Sequence, residues 1–133
     1  MPTFSQNILA IDYGTKRLGL AYAISGVIST LPGLKNDDNL FTNLKVIIND
    51  YSISKIYVGL SQGVIADKTL QFVALLSDMI KLPVETVEEA VSTIEATEIF
   101  RHNQSKKKDY KKLVDSVAAA VILRRIINWS KND

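Results

Sequence analysis

The chain of 133 residues has no cysteine. Disulfides and thiolate metal sites are therefore excluded, and a reducing cytoplasm is the expected setting. A single histidine, His102, leaves almost nothing for a Ser-His or Cys-His nucleophilic triad to draw on. His102 itself reads as a surface residue rather than a general base. No apolar run free of charge approaches a bilayer span, and no signal peptide stands out. Internal repeats, low-complexity tracts and dividing linkers are missing as well, so residues 1–133 read as one domain. Gly59 and Gly63 lack the spacing of a phosphate loop.

What is present is an ordinary globular balance, 47% hydrophobic and 23% charged, at a length that buries a real core. The formal net charge of +2 hides an asymmetry. Residues 1–100 carry 7 Lys/Arg against 11 Asp/Glu, whereas residues 101–133 carry 9 against 3. Basic charge gathered at one end suits a surface that meets phosphates.

Two apolar runs, 7–13 and 18–24, flank the turn Gly14-Thr15-Lys16-Arg17 and read as an antiparallel hairpin. A third strand, 27–32, follows the Ser25-Gly26 turn and is expected to break at Pro32-Gly33. Asp37 or Asp38 can cap a helix with Leu40, Leu44, Ile47 and Ile48 on its apolar face, ending near Tyr51. Residues 55–60 read as a strand covered on both faces. A helix opened by Ala66 or Asp67, with Leu70, Val73, Ala74 and Met79 on one side, closes at Pro83. Residues 84–87 form a further parallel-type strand, 91–103 are helical, and the last helix runs over about 110–129. The order predicts an α/β layered domain with a mixed five-stranded sheet, an antiparallel hairpin joined to parallel strands and flanked by helices.

Among fourteen acids, three do not look solvated. Asp12 ends the first apolar strand, where a carboxylate costs several kcal/mol without a partner. Glu89 follows the 84–87 strand, and Asp115 interrupts the apolar stretch Leu113 to Ala118. They lie 77 and 26 residues apart, so only a fold can unite them. In a parallel sheet the carboxyl ends of neighbouring strands face one crevice, which a covering helix can also reach. Taken singly, each has a plainer reading. Asp12 suits turn chemistry, Glu89 suits a first helical turn, and Asp115 can pair with Lys111. The lysine run 106–108 likewise suits a solvated loop, and Tyr57, Tyr110 and Trp129 read as packing.

Three motifs carry a resemblance to a known family. They are Asp12-Tyr-Gly-Thr-Lys-Arg-Leu-Gly-Leu-Ala21, Glu88-Glu-Ala-Val-Ser-Thr-Ile-Glu-Ala96 and Lys111-Lys-Leu-Val-Asp-Ser-Val-Ala-Ala119. Together they resemble the YqgF/RuvX-like nucleases of the ribonuclease H-like superfamily, over nearly the whole chain. Three positions depart from that family: Glu88 replaces an aspartate, Ala90 an arginine and Ser61 a proline. The resemblance implies a ribonuclease H-like fold in which Asp12, Glu89 and Asp115 form a metal-binding, catalytic acidic triad.

Such a triad would take Mg²⁺ or Mn²⁺, hard cations that favour oxygen ligands, for in-line phosphodiester hydrolysis. Thr15, Lys16 and Arg17 would hold the scissile strand. Arg101, Lys106, Lys107, Lys108, Lys111 and Lys112 would hold flanking phosphates, positioning nucleic acid without reading its sequence. Two substrates follow from the resemblance: the 5′ end of precursor 16S ribosomal RNA, and the Holliday junction. Structured RNA is favoured, because symmetric cutting of branched DNA calls for a homodimer and nothing in the sequence advertises a self-complementary interface. A nucleic-acid-binding protein weakened in catalysis by Ala90 and Ser61 is the alternative from another class. A two-lobed nucleotide-binding fold, which also opens with D-x-G-T, needs more chain than is present.

Overall fold

The computed structural model describes residues 6–60, 64–88 and 116–127. Its first three strands form the expected meander: β1 (Ile8–Asp12), β2 (Arg17–Ile24) and β3 (Val27–Lys35). Both junctions are antiparallel. Ser25 and Gly26 have positive φ of 53° and 82°, which supplies the twist a two-residue hairpin turn requires. Helix α1 (Leu40–Asp50), strand β4 (Lys55–Leu60), helix α2 (Val64–Met79) and strand β5 (Val84–Glu88) follow. A third helix, α3, is described over 116–127. The sheet order is β3-β2-β1-β4-β5, with β4 parallel to both β1 and β5. Among the described residues no helix is long and apolar enough to cross a membrane.

Strand alternation divides the core in two. Leu9, Ile11, Leu18, Leu20, Ile56 and Val58 point to one face and pack on Leu40 and Leu44 of α1 and Phe72 and Leu76 of α2. Ile8, Ala10, Ala21 and Ala23 point to the other and meet Ala119, Ala120, Ile122 and Leu123 of α3. One face is therefore built of large side chains under two helices. The other is built of small ones under α3.

Three local expectations are corrected. Pro32-Gly33 does not end β3, which continues to Lys35. Leu20 pairs with Leu31 and Leu18 with Leu34, so Pro32 and Gly33 together oppose Gly19 in a bulge. Proline is tolerated there because β3 is an edge strand and the bulge already interrupts the ladder. The N-cap position of helix α1 is Asn39, whose side chain makes no capping hydrogen bond, and not Asp37 or Asp38. The Asp37 carboxylate instead accepts the Asn39 N–H at 3.0 Å, in the turn ahead of the helix. Finally, α2 opens at Val64, before Ala66 and Asp67, and its buried stripe is Thr69, Phe72 and Leu76, with Val73 half-buried. Leu70 and Met79, expected inside, are 48% and 43% exposed. That helix carries two apolar stripes, and the aromatic partners of Phe72 decide which one is covered. Phe72 meets Tyr13 and Phe41, with ring centroids 4.8 and 5.8 Å away.

At the amino ends of β4 and β5, Lys55 pairs with Glu85 at 3.2 Å and lies 4.9 Å from the Tyr57 ring centroid. A hydrogen bond with the Tyr57 side chain holds the Lys55 ammonium above its usual range; burial pulls the other way, and Glu85 adds to the rise.

Candidate active site

Asp12 is the last residue of β1, at the carboxyl end that this strand shares with β4 and β5. Its register partners are glycines on both sides, Gly19 in β2 and Gly59 in β4. No neighbouring side chain in its own row can shade the carboxylate. By strand parity Asp12 shares the face of Ala10 and Ile8, which is the face that α3 covers. It is half-buried. Gly59 pairs onward with Val87, so the row reaches the end of β5.

The backbone after Asp12 turns sharply. A Cβ on Gly14 would lie 2.3 Å from the Arg17 carbonyl oxygen, so only glycine fits this position. Asn36, one residue past β3, fastens the turn. Its Nδ2 donates to the Gly14 carbonyl at 2.9 Å and to the Tyr13 hydroxyl at 3.1 Å, and its backbone N–H donates to the Lys16 carbonyl at 2.9 Å. The Tyr13 ring leans on Phe72, which ties the turn to α2. Thr15, Lys16 and Arg17 are left exposed beside Asp12 on a held backbone.

Helix α3 is pinned at Ser116. This serine is fully buried, and its Oγ accepts the Leu20 N–H at 3.1 Å and donates to the Leu31 carbonyl. Those two residues face each other where the β2–β3 register shifts. The hydroxyl thus satisfies polar groups that would each cost about 1–3 kcal/mol if buried alone. Further along, Ile122 lies over Gly59, where an added Cβ would sit 2.6 Å from its Cδ1. Glycine in β4 therefore leaves room for the Ile122 side chain of α3 and is no part of a phosphate loop.

Of the residues singled out in the sequence, Asp12, Thr15, Lys16 and Arg17 fall together at the carboxyl end of β1. Glu89, Asp115, Arg101, Lys106, Lys107, Lys108, Lys111 and Lys112 lie outside the described residues, as do the expected helix over 91–103, Ser61 and Ala90. Among the described residues no three His, Cys, Asp or Glu side chains gather as a metal site. Asn36 and Ser116 were not foreseen. A lone serine beside the apolar run Val117 to Leu123 was a signal, but its hydrogen-bond partners, the Leu31 carbonyl and the Leu20 N–H, are 85 and 96 residues away. Asn36 gave none, because its role depends on β3 continuing past Pro32.

A family model described as RuvX, Holliday junction resolvase, matches residues 6–128. A Prochlorococcus marinus (strain AS9601) protein named "Putative pre-16S rRNA nuclease" is 35% identical, over 92% of this chain and 84% of its own length. A Halothermothrix orenii protein of the same name is 31% identical, over 92% of this chain and 94% of its own. Among solved structures, T. thermophilus RuvC in complex with Holliday junction substrate matches with a TM-score of 0.64 and 14% identity over 96% of both chains. The Fowlpox virus Holliday junction resolvase matches with a TM-score of 0.61 and 16% identity, over 95% of this chain and 99% of that one. At these identities the likeness to solved structures shows the fold alone, which is ribonuclease H-like.

Proposed function

The chain belongs to the RuvX family, and from that premise we propose that it is a divalent-metal-dependent nuclease whose substrate is precursor 16S ribosomal RNA. One observation carries the reading: a carboxylate at the carboxyl end of a central parallel strand, flanked by two glycines and followed by a fastened, cation-bearing turn. Ligands of open α/β sheets bind at such strand ends.

Asp12, Glu89 and Asp115 are the residues proposed to hold the cation. Their chemistry fits, since all three offer hard anionic oxygen, the donor that Mg²⁺ and Mn²⁺ prefer. Sequence neighbours support the grouping. Glu89 directly follows Glu88, the last residue of β5, and in that strand Val87 shares the row of Asp12 and Gly59. Asp115 precedes Ser116, which is bonded to Leu20, the residue after Asp12's partner Gly19. Bound there, the cation would offset carboxylate repulsion and polarise both water and the scissile phosphate.

The chain's own part is positional. Asp12 sits on a strand fixed by neighbours on both sides, so its carboxylate has little freedom to leave the reacting phosphate. Thr15 can donate a hydrogen bond to a phosphate oxygen, and Lys16 and Arg17 supply positive charge close by. In hydrolysis a water oxygen bonds to phosphorus as the bridging oxygen departs with the electron pair, and the developing charge favours cations held in place beforehand. Arg101, Lys106, Lys107, Lys108, Lys111 and Lys112 would extend this grip along the substrate, and a cytoplasmic setting accords with the absence of cysteine.

The substrate proposed is the one in the names of two relatives above 30% identity, each called "Putative pre-16S rRNA nuclease". The family description favours a second substrate, the Holliday junction. Incubating the protein with labelled precursor rRNA and with a synthetic four-way junction, in Mg²⁺ and in EDTA, separates the two. We expect RNA shortened at its 5′ end in Mg²⁺ alone. Symmetric junction cutting with intact RNA would reverse the assignment, and cleavage in EDTA would remove the metal.

A further inference from the structure

We propose that Lys35, the last residue of β3, is a nucleic-acid contact of this site and receives a backbone phosphate together with Arg17. The proposal rests on the nuclease reading above. Lys35 is the register partner of Arg17 in the β2–β3 ladder. Directly opposed residues of an antiparallel pair project to the same side. Arg17 has the strand parity of Gly19, the partner of Asp12. Asp12, Arg17 and Lys35 therefore belong to one face of the sheet, with the two cations roughly 7 Å along the strands from the Asp12 row.

Both cations are exposed. The ladder does not fray at this pair, because the Asn36 N–H to Lys16 carbonyl bond continues it one step further. The cationic row is thus held by the same asparagine that fastens the Gly14 turn. Two exposed basic residues side by side on this rim make a positive patch, which favours a polyanion.

The test is equilibrium binding of a fluorescent precursor-rRNA fragment across a range of KCl concentrations, with Ca²⁺ in place of Mg²⁺. Lys35→Ala should weaken binding about twofold to fivefold and lower the slope of log affinity against log salt by about one. Lys35→Arg should keep the wild-type slope. Lys45→Ala, on exposed α1 beneath the opposite face, should change neither quantity. The melting temperature of Lys35→Ala should stay close to wild type, as for other exposed side chains. Wild-type binding combined with an unaltered slope in Lys35→Ala would overturn the proposal alone. A wild-type chain that binds neither RNA nor a junction would overturn the nuclease reading with it.

Discussion

The two faces of the sheet solve different problems with the same five strands. On one, leucines, isoleucines and valines from β1, β2 and β4 meet α1 and α2, with Phe72 and Leu76 filling the space between. On the other, alanines and glycines let α3 come close enough for Ile122 to rest on Gly59 and for Ser116 to bond β2 and β3 directly. Among the described residues, the sheet positions of the large-residue face bury bulkier side chains than those of the other face, and buried apolar surface stabilises in proportion to its area. The small-residue face gives up some of that burial for close approach, and Asp12 stands on it. Close approach gives precise placement, which a site made from distant segments needs.

Substitutions on each face can break this contrast. Leu76→Ala, on the large face, should have the largest effect on stability, about 2–5 kcal/mol through the cavity it leaves. Thermal unfolding would measure that loss, while cleavage per folded molecule stays near wild type. Gly59→Ala should cost less, about 1–3 kcal/mol, by pressing on Ile122. It should nonetheless lower the cleavage rate of the folded protein, because α3 is displaced beside Asp12. Ile122→Val, which removes the crowded methyl, should restore much of both when combined with it. Equal effects of the Leu76 and Gly59 changes on the folded protein's rate would mean that the faces do not differ in this way.

A subtler substitution separates shape from hydrogen bonding at the turn. Asn36→Asp keeps the size of the side chain but faces the Gly14 carbonyl with an acceptor in place of a donor. It should raise KM more than it lowers kcat, with a stability loss of about 1 kcal/mol, and should do so more strongly than Asn36→Ala. Tolerance of the aspartate would reduce Asn36 to packing. The smallest effect belongs to the sheet's other end. Glu85→Gln removes a partner of Lys55 and should cost at most about 1 kcal/mol at neutral pH, with activity unchanged. Lys55 is held above its ordinary pKa, first by Tyr57 and less by Glu85. This contribution is therefore complete at neutral pH and fades as pH rises through the range where Lys55 loses its proton. Denaturation midpoints of the two proteins should converge there.

Much of the architecture could be read from periodicity. The hairpin, β4, β5 and the buried side of α1 stand where the spacing of apolar residues puts them, because each is decided locally. The misses have tertiary causes. Pro32 breaks a strand only if its missing N–H faces a neighbour, and the sequence does not say that β3 is an edge. The two apolar stripes of α2 compete, and Tyr13 and Phe41, both distant in sequence, favour Phe72 over Leu70. At the site, the motif from Asp12 to Ala21 pointed to a carboxylate and its cationic turn, since both lie in one short segment. Asn36 and Lys35 were hidden because they reach that turn only through the unforeseen continuation of β3. Glu89 and Asp115 enter through the family motifs and their described sequence neighbours.

The most direct test is cleavage of precursor rRNA in Mg²⁺ by Asp12→Asn, a substitution that keeps the size of the side chain and removes its charge. If Asp12 anchors the reacting centre, the rate should fall by more than about a hundredfold, beyond the loss typical of outer-sphere partners, with the melting temperature nearly unchanged. A folded Asp12→Asn protein that cleaves at the wild-type rate would contradict the account.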